Sequence, residues 1–491
     1  MKSKQSLFLI AARLLSMTVN VLSMRFFLHW FGESAYGAYA VGNGFFFFVA
    51  LLDVGFFVGG ARRITEAFHR GDVEEGWSIH RTQMTLGYVV ALAGMIVYPL
   101  IGAAHEMVGL TRMQGVAFME FLSWQFAGLW LVQYYCSALA AKNRFDLQGV
   151  LYFLVNFLGS AIALALGWHN RNMLWVSFGY GGGTLVGLLL GLIWVRIQEP
   201  GFRFRPGYDR AIARDLWRQG LTNYPNRVAG TFSNRSDRQI IYFYSPALTG
   251  QYQFISRPAE ILTDLLGSTI DTTQPEVTRS AQQGPQEMAS KLHRNCLVVW
   301  AMACSFMMVP CAFGSAIMHL WVPDKIFGSA SLVMLCVALN YAGELHYRAL
   351  GTAYVARGTL YRSVWFPAAN GVATVLLTMP IVRAYGLAGI GIMNAVFSLV
   401  QLYPRIKHVG TETGGLFPVA RHFSKSMGIL GICGVLTWVG FEINLRSSSH
   451  WVILLAPVLA CVAFAACVAL RLAPPPKLLQ RVWRRPIAVG A

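Results

Sequence analysis

The sequence predicts an all-α integral membrane protein of about 14 transmembrane helices, arranged as two pseudo-symmetric six-helix bundles plus two C-terminal helices. Three observations predict it. Of 491 residues, 55% are hydrophobic and only 13% are charged, with a mean hydropathy of +0.48. A soluble domain carries roughly 25% charged residues. Apolar runs recur along the whole chain, each near the roughly 20 residues that cross about 30 Å of hydrocarbon. The basic residues, finally, are distributed as topology requires and not as a nucleic-acid surface would require.

In chain order the runs fall near 7–28, 38–60, 83–104, 116–140, 149–168, 173–195, 219–244, 251–274, 293–314, 328–354, 361–382, 385–404, 426–443 and 451–470. The first follows Lys2 and Lys4 and continues past Arg13 with no clear cleavage site, so it reads as a retained span and not a signal peptide. The thirteenth is the weakest, opened by Ser424, Lys425 and Ser426 and closed by Glu442. The domain organisation that follows is a first bundle over 1–197, a basic cytoplasmic linker over 198–218, a second bundle over 219–405, helices 13 and 14 over 406–471, and a basic tail over 472–491. Within the linker, 208–218 has the makings of an amphipathic helix on the membrane surface.

The formal net charge is +18. With the N-terminus inside, 28 of the 40 Lys and Arg residues lie in loops and tails on the inner side, five lie in outer loops, and seven lie within spans. This is the positive-inside pattern. It places both termini in the cytoplasm and needs no nucleic-acid partner. All eight cysteines lie inside spans with no metal-ligand spacing, and no metal or other cofactor is expected. No GxSxG, HExxH or Walker loop is present, and the short outer loops leave no room for an enzyme's extracytoplasmic site.

A faint repeat joins the halves. Tyr36-Gly37-Ala38-Tyr39 opens the second span, and Thr249-Gly250-Gln251-Tyr252 opens the eighth, at an offset of 213 residues. The same offset carries Arg144 onto Arg357. An even number of spans per half gives both halves one orientation. Transporters built this way bind substrate near the midplane between their halves.

Charges inside spans are costly, about 2.5–3.5 kcal/mol each on insertion scales, so they mark candidate sites. In the seventh span Asn223, Arg227, Thr231, Asn234 and Arg238 share one helical face, and Arg235 and Asp237 lie nearby. That stripe reads as the wall of a cationic cavity. Arg227 is the best candidate for an anionic ligand. Arg235 and Arg238 are ligand or gate contacts, and Asp237 offers to neutralise one of them. The first span presents Arg13, Ser16 and Asn20, with Arg13 shallow enough to snorkel instead. The eighth presents Arg257, Glu260, Asp264, Ser268 and Asp271 at three- and four-residue spacing. Arg257 and Glu260 suggest a pair. Glu260 and Asp264, like charges one turn apart, suggest a shared proton or a recruited cation. The tenth presents Asn340, Glu344 and Arg348, the last two placed for an intrahelical ion pair. Asp53, in Leu51-Leu52-Asp53-Val54-Gly55, is either a coupling residue or a structural hydrogen-bond acceptor. Substrate-binding candidates are therefore Arg13, Asn20, Asn223, Arg227, Asn234, Arg235, Arg238, Arg257 and Arg348. Ion-coupling candidates are Asp53, Asp237, Glu260, Asp264, Asp271 and Glu344.

Phe31-Gly32-Glu33-Ser34-Ala35-Tyr36-Gly37-Ala38-Tyr39, then Leu52-Asp53-Val54-Gly55 and Arg62-Arg63, resembles the start of bacterial polysaccharide flippases. These are the O-antigen, capsule and exopolysaccharide exporters of the multidrug/oligosaccharidyl-lipid/polysaccharide superfamily. Ser236-Asp237-Arg238-Gln239-Ile240-Ile241, followed by Thr249-Gly250-Gln251-Tyr252, resembles the opening of their second half. The resemblance implies two six-helix bundles with helices 13 and 14 outside the core. It implies that an undecaprenyl-pyrophosphate-linked oligosaccharide is flipped from the inner to the outer leaflet of the bacterial inner membrane. Implied partners are that lipid-linked substrate, membrane lipids, and a glycan polymerase with its chain-length machinery. The acids of the eighth span depart from the pattern and leave ion coupling open. A cation-coupled small-molecule or drug antiporter of the same superfamily is the main alternative, and a membrane-embedded glycan polymerase a lesser one.

Overall fold

The computed structural model describes residues 2–104, 110–142, 144–322, 330–447 and 450–474. Side chains are described throughout these except at 2–14, 16, 17, 20, 21, 58, 268, 269, 271–276, 278, 279, 282, 450 and 451. The described residues are helical with short connections and contain no strand. In order the helices are α1 (Lys2–Val49), α2 (Phe56–Arg70), α3 (Val73–Ala104), α4 (Arg112–Ala141), α5 (Phe145–Asn170), α6 (Met173–Gln198), α7 (Arg210–Tyr244), α8 (Pro246–Gln283), α9 (Pro285–Ala303), α10 (Val309–Cys311), α11 (Gly314–Trp321), α12 (Ala330–Arg357), α13 (Trp365–Glu412), α14 (Val419–Arg446) and α15 (Leu455–Ala469).

The fourteen apolar runs map onto these elements because α1 and α13, each 48 residues long, hold two crossings apiece. Each is broken where a glycine leaves helical geometry: Gly32 at φ 78°, ψ 177° and Gly386 at φ 61°, ψ −151°. Only a residue without Cβ adopts such angles freely. Among the described residues nine helical segments are long and apolar enough to cross a membrane, so the chain is a multi-pass membrane protein. Helices α7, α8 and α12 are also of membrane length but fall outside that set. They carry the polar stripes found in the sequence, and those stripes lower their hydropathy.

Local signals fix several helix starts. Thr111 and Gln114 form a reciprocal capping box on α4, Asn172 caps α6 through Leu174 N–H, and Asp209 caps α7 through Ala211 and Ile212 N–H. The Asp209 cap settles the 208–218 stretch: it is not a separate surface helix but leads straight into the first turns of α7. At 35 residues α7 is about 52 Å long at the helical rise, more than the roughly 30 Å of hydrocarbon needs. The expected second span, 38–60, is also interrupted. Helix α1 stops at Val49, a 3₁₀ turn covers Ala50–Asp53, and Val54 (φ 38°) and Gly55 (φ 91°) turn left-handed before α2 begins.

By packing, the chain forms two compact units: Met1–Phe254 with Pro367–Met379, and Ile255–Phe366 with Pro380–Ala491. In the first unit α6 lies on α5 along Gly179, Gly183 and Gly187, where a Cβ would stand 2.5 Å from Ala163 Cα, Leu158 O and Leu154 O respectively. Small residues let membrane helices approach this closely. In the second unit α14 packs on α9, and Trp300 Nε1 donates to Ser426 O at 2.9 Å.

The internal repeat reappears as contacts. In the first unit Arg144 bonds Glu199; in the second Arg357 bonds the Glu412 carbonyl, and Arg362 bonds the Glu412 carboxylate at 3.1 Å. Glu199 and Glu412 are again 213 residues apart. The two tyrosine-glycine motifs meet within the first unit. A Cβ on Gly37 would lie 2.0 Å from Pro246 O, and one on Gly250 would lie 2.2 Å from Glu33 O. Glu33 and Pro246 share the 213-residue offset too, so the contact is reciprocal.

Candidate functional site

The interruption at 50–55 carries an acid, Asp53, at the end of its 3₁₀ turn. Asp53 is fully buried, and its carboxylate gathers partners from three helices. Tyr134 of α4 donates its hydroxyl to Oδ1 at 2.8 Å. Arg227 of α7 donates from Nη1 to Oδ2 at 2.5 Å and from Nη2 to the Ala50 carbonyl at 3.0 Å. Phe57 N–H, at the start of α2, donates to both oxygens at 3.2 and 3.4 Å. Gln83 of α3 closes the break from the other side, donating to the carbonyls of Phe56 and Phe57 at 3.3 and 2.8 Å. The carbonyls of Ala50, Phe56 and Phe57 and the Phe57 N–H are thus given side-chain partners, as burial of backbone polar groups demands.

Two glycines let α7 reach this turn. A Cβ on Gly55 would sit 2.8 Å from Gly220 Cα, and one on Gly220 would sit 2.2 Å from Val54 O. Pro225 lies inside α7, two residues before Arg227, where it removes a backbone bond and bends helices. Left-handed Val54 is a β-branched residue in a region that costs about 1–3 kcal/mol. The Asp53 network holds that strain.

Arg227 is half-buried, with 27% of its side chain exposed, and its guanidinium carbon lies 5.7 Å from the Trp130 ring centre. Its two bonds use two of five N–H donors. The group is therefore braced on one side by a buried carboxylate and open on the other. An anion offered to the open edge meets a planar fork suited to paired oxygens.

The other sequence candidates of the first unit lie further along α7. Asn223 and Asn234 are half-buried, and Arg238 is buried at 5% exposure. The Arg235 guanidinium stacks 4.0 Å from the Phe47 ring centre. Asp237 is buried, accepting from Tyr252 O–H at 2.9 Å and from Arg238 N–H at 2.8 Å. Glu33 accepts from Gln251 at 2.6 Å.

In the second unit Arg257 and Glu260 form the expected ion pair at 2.9 Å, and Tyr341 donates to the same carboxylate at 3.0 Å. Asp264 is exposed and Glu344 half-buried. Arg348 is exposed and lies over α8 at Gly267, where a Cβ would be 3.1 Å from its Nη1. The side chains of Arg13, Asn20 and Asp271 lie outside the described residues. Among the described residues no group of three or more His, Cys, Asp or Glu is placed to hold a metal.

Sequence reading treated Asp53 and Arg227 as separate candidates; the structure bonds them together. It also missed the tyrosines. Asp53, Asp237 and Glu260 each accept from one tyrosine hydroxyl, at 2.8, 2.9 and 3.0 Å. Tyr134 and Tyr341 each follow their acid by 81 residues. The same acid–tyrosine pairing thus links the second helix of each half to its fourth. For Tyr134 and Tyr341 the available signal was a tyrosine well inside a span, away from the interfaces where it usually gathers.

No family model matches the sequence, and no curated protein matches it. Solved structures do. A lipid II flippase, MurJ, in an inward closed conformation superposes with a TM-score of 0.69 at 13% identity, over 98% of this chain and 99% of that one. The MATE multidrug transporter DinF-BH gives 0.63 at 11% identity, over 85% and 96%. A MOP superfamily transporter from Pyrococcus furiosus gives 0.59 at 13% identity, over 84% and 96%. With its paired helical repeats and nearly full-length superposition, the chain has the fold shared by the MurJ flippase and the MATE transporters.

Proposed function

We propose that the chain is a flippase that moves an undecaprenyl-pyrophosphate-linked oligosaccharide from the inner to the outer leaflet of a bacterial inner membrane by alternating access, and that it is not an enzyme. Arg227, half-buried and braced on buried Asp53, carries this reading. A pyrophosphate diester brings about two negative charges and oxygen pairs that match a guanidinium fork. Asp53 keeps the fork oriented before the anion arrives and offsets part of its charge, so the head group binds without being trapped. The near-complete superposition on a flippase supports the same reading, since the MATE neighbours leave about 15% of the chain unmatched.

A cation-coupled small-molecule antiporter is the second reading. The buried acids Asp53, Asp237 and Glu260, each held by a tyrosine, favour it. Glycan export in cells separates the two. Arg227→Met and the charge-neutral pair Asp53→Asn/Arg227→Met should both stop export of the lipid-linked glycan while the protein stays in the membrane. Normal export in the double variant would remove Arg227 from the binding role.

A further inference from the structure

The second unit contains a chain of three histidines that the substrate reading does not use. His293 of α9, His422 of α14 and His346 of α12 are hydrogen-bonded in series. His293 Nδ1 lies 2.9 Å from His422 Nδ1, and His422 Nε2 lies 3.0 Å from His346 Nε2. Burial deepens along the chain: His293 is half-buried, while His422 and His346 are fully buried. Phe417 and Trp300 enclose it, with Phe417 4.9 Å from His422 and Trp300 5.1 Å from His346, between ring centres. At the inner end His346 Nδ1 is buried without a hydrogen-bond partner.

The geometry argues against a metal site. Three ligands must converge on one ion, whereas His422 uses its two opposite ring nitrogens for two different neighbours. It argues for proton transfer, because a ring that accepts on one nitrogen and donates from the other passes a proton along by exchanging tautomers. We propose that His293, His422 and His346 form a proton relay that loads His346, a buried protonation site, from the basic end of the second unit.

The step balances within the three rings. At rest His293 donates Nδ1–H to His422 Nδ1, His422 donates Nε2–H to His346 Nε2, and His346 holds its own proton on Nδ1. An incoming proton binds His293 Nε2. His293 then gives its Nδ1 proton to His422, and His422 gives its Nε2 proton to His346. One proton has entered, His346 is an imidazolium, and the two outer rings are neutral in the opposite tautomer. The reverse sequence unloads it.

The surrounding charges are cationic. Lys425 and Arg421 of α14 act on His293, Lys425 also on His422, and Arg405 of α13 acts on His346. Arg405 is itself buried, stacked 4.5 Å from the Tyr347 ring centre, bonded to Gln401 and within electrostatic reach of Glu344. The Trp300 ring, 5.1 Å from His346 between ring centres, is an aromatic neighbour that favours a charged His346. A loaded His346 therefore repels Arg405, and that repulsion ties the proton to the position of α13. The relay is independent of what the transporter carries.

The full-length chain in lipid nanodiscs, with ring-15N histidine, tests it by NMR. The His346 signals are assigned as those lost in His346→Gln. Without a relay, a fully buried ring exchanges its N–H with water only during local opening. The relay predicts fast exchange at His346 in the unmodified chain, slowed by about tenfold or more in His422→Phe and His293→Phe. His422→Gln keeps a donor and an acceptor but cannot shuttle a proton, so it should slow exchange as well, and it serves if His422→Phe fails to fold. Unchanged exchange at His346 in the His422 variants would overturn the proposal.

Discussion

Breaking the Asp53–Arg227 pair from its two sides should give unequal costs. At about 4 Å between charge centres and an effective dielectric near 20, the attraction is about 4 kcal/mol. Arg227 is 27% exposed, which lowers its share, while Asp53 has no exposure to compensate it. Arg227→Met leaves a buried carboxylate with only Tyr134 and the Phe57 N–H, and should cost about 3–5 kcal/mol, the usual range for stripping a buried charge of its partner. Asp53→Asn leaves a cation that is already partly exposed, and should cost less, about 1–2 kcal/mol for the weakened hydrogen bonds. Asp53→Asn/Arg227→Met leaves no orphaned charge and should recover most of the loss in Arg227→Met. Reversible unfolding in mixed micelles, followed by helical circular dichroism, measures all three. A double variant less stable than Arg227→Met, or an Arg227→Met variant as stable as the parent, would refute the reasoning.

Three further outcomes follow from the same geometry. Gly250→Ala drives a Cβ into Glu33 O at 2.2 Å and should destabilise by about 1–3 kcal/mol, with Gly37→Ala costing a similar amount; the same unfolding assay reads both. Tyr134→Phe and Tyr341→Phe each remove a hydroxyl from a buried carboxylate and should cost about 1.5–3 kcal/mol, whereas Tyr88→Phe, which loses a neutral tyrosine–tyrosine bond, should cost about 1 kcal/mol. An inside-negative potential should speed outward movement of an anionic head, since each elementary charge is worth about 2.3 kcal/mol per 100 mV. Liposomes with an imposed potassium diffusion potential test this.

The features legible in the sequence were those written locally. Run length and the low share of charged residues made the helical membrane class legible. The repeat was visible because both copies of a short motif survive, and Glu199 and Glu412 show that it also preserves contacts. Arg257 and Glu260 were legible as a pair because one helical turn brings them together. Asp53 and Arg227 were not, since 174 residues separate them and no periodicity encodes the contact. The break at Val54 was hidden because Leu51-Leu52-Asp53-Val54-Gly55 fits an apolar helix until Tyr134, Gln83 and Arg227 are present to satisfy its polar groups. The histidine chain was invisible for the same reason, since its three members come from three helices.

The central claim is that Arg227 holds an anionic head group while the chain moves it across the bilayer. The most direct measurement is flipping of a fluorescent undecaprenyl-pyrophosphate oligosaccharide by the purified protein in liposomes, compared with Asp53→Asn/Arg227→Met and with a lipid bearing the same sugar on an uncharged linker. The parent should flip the pyrophosphate lipid, and the variant should not. The uncharged lipid should stay in its leaflet in both. Equal flipping of the pyrophosphate lipid by parent and variant, or equal movement of the charged and uncharged lipids by the parent, would contradict it.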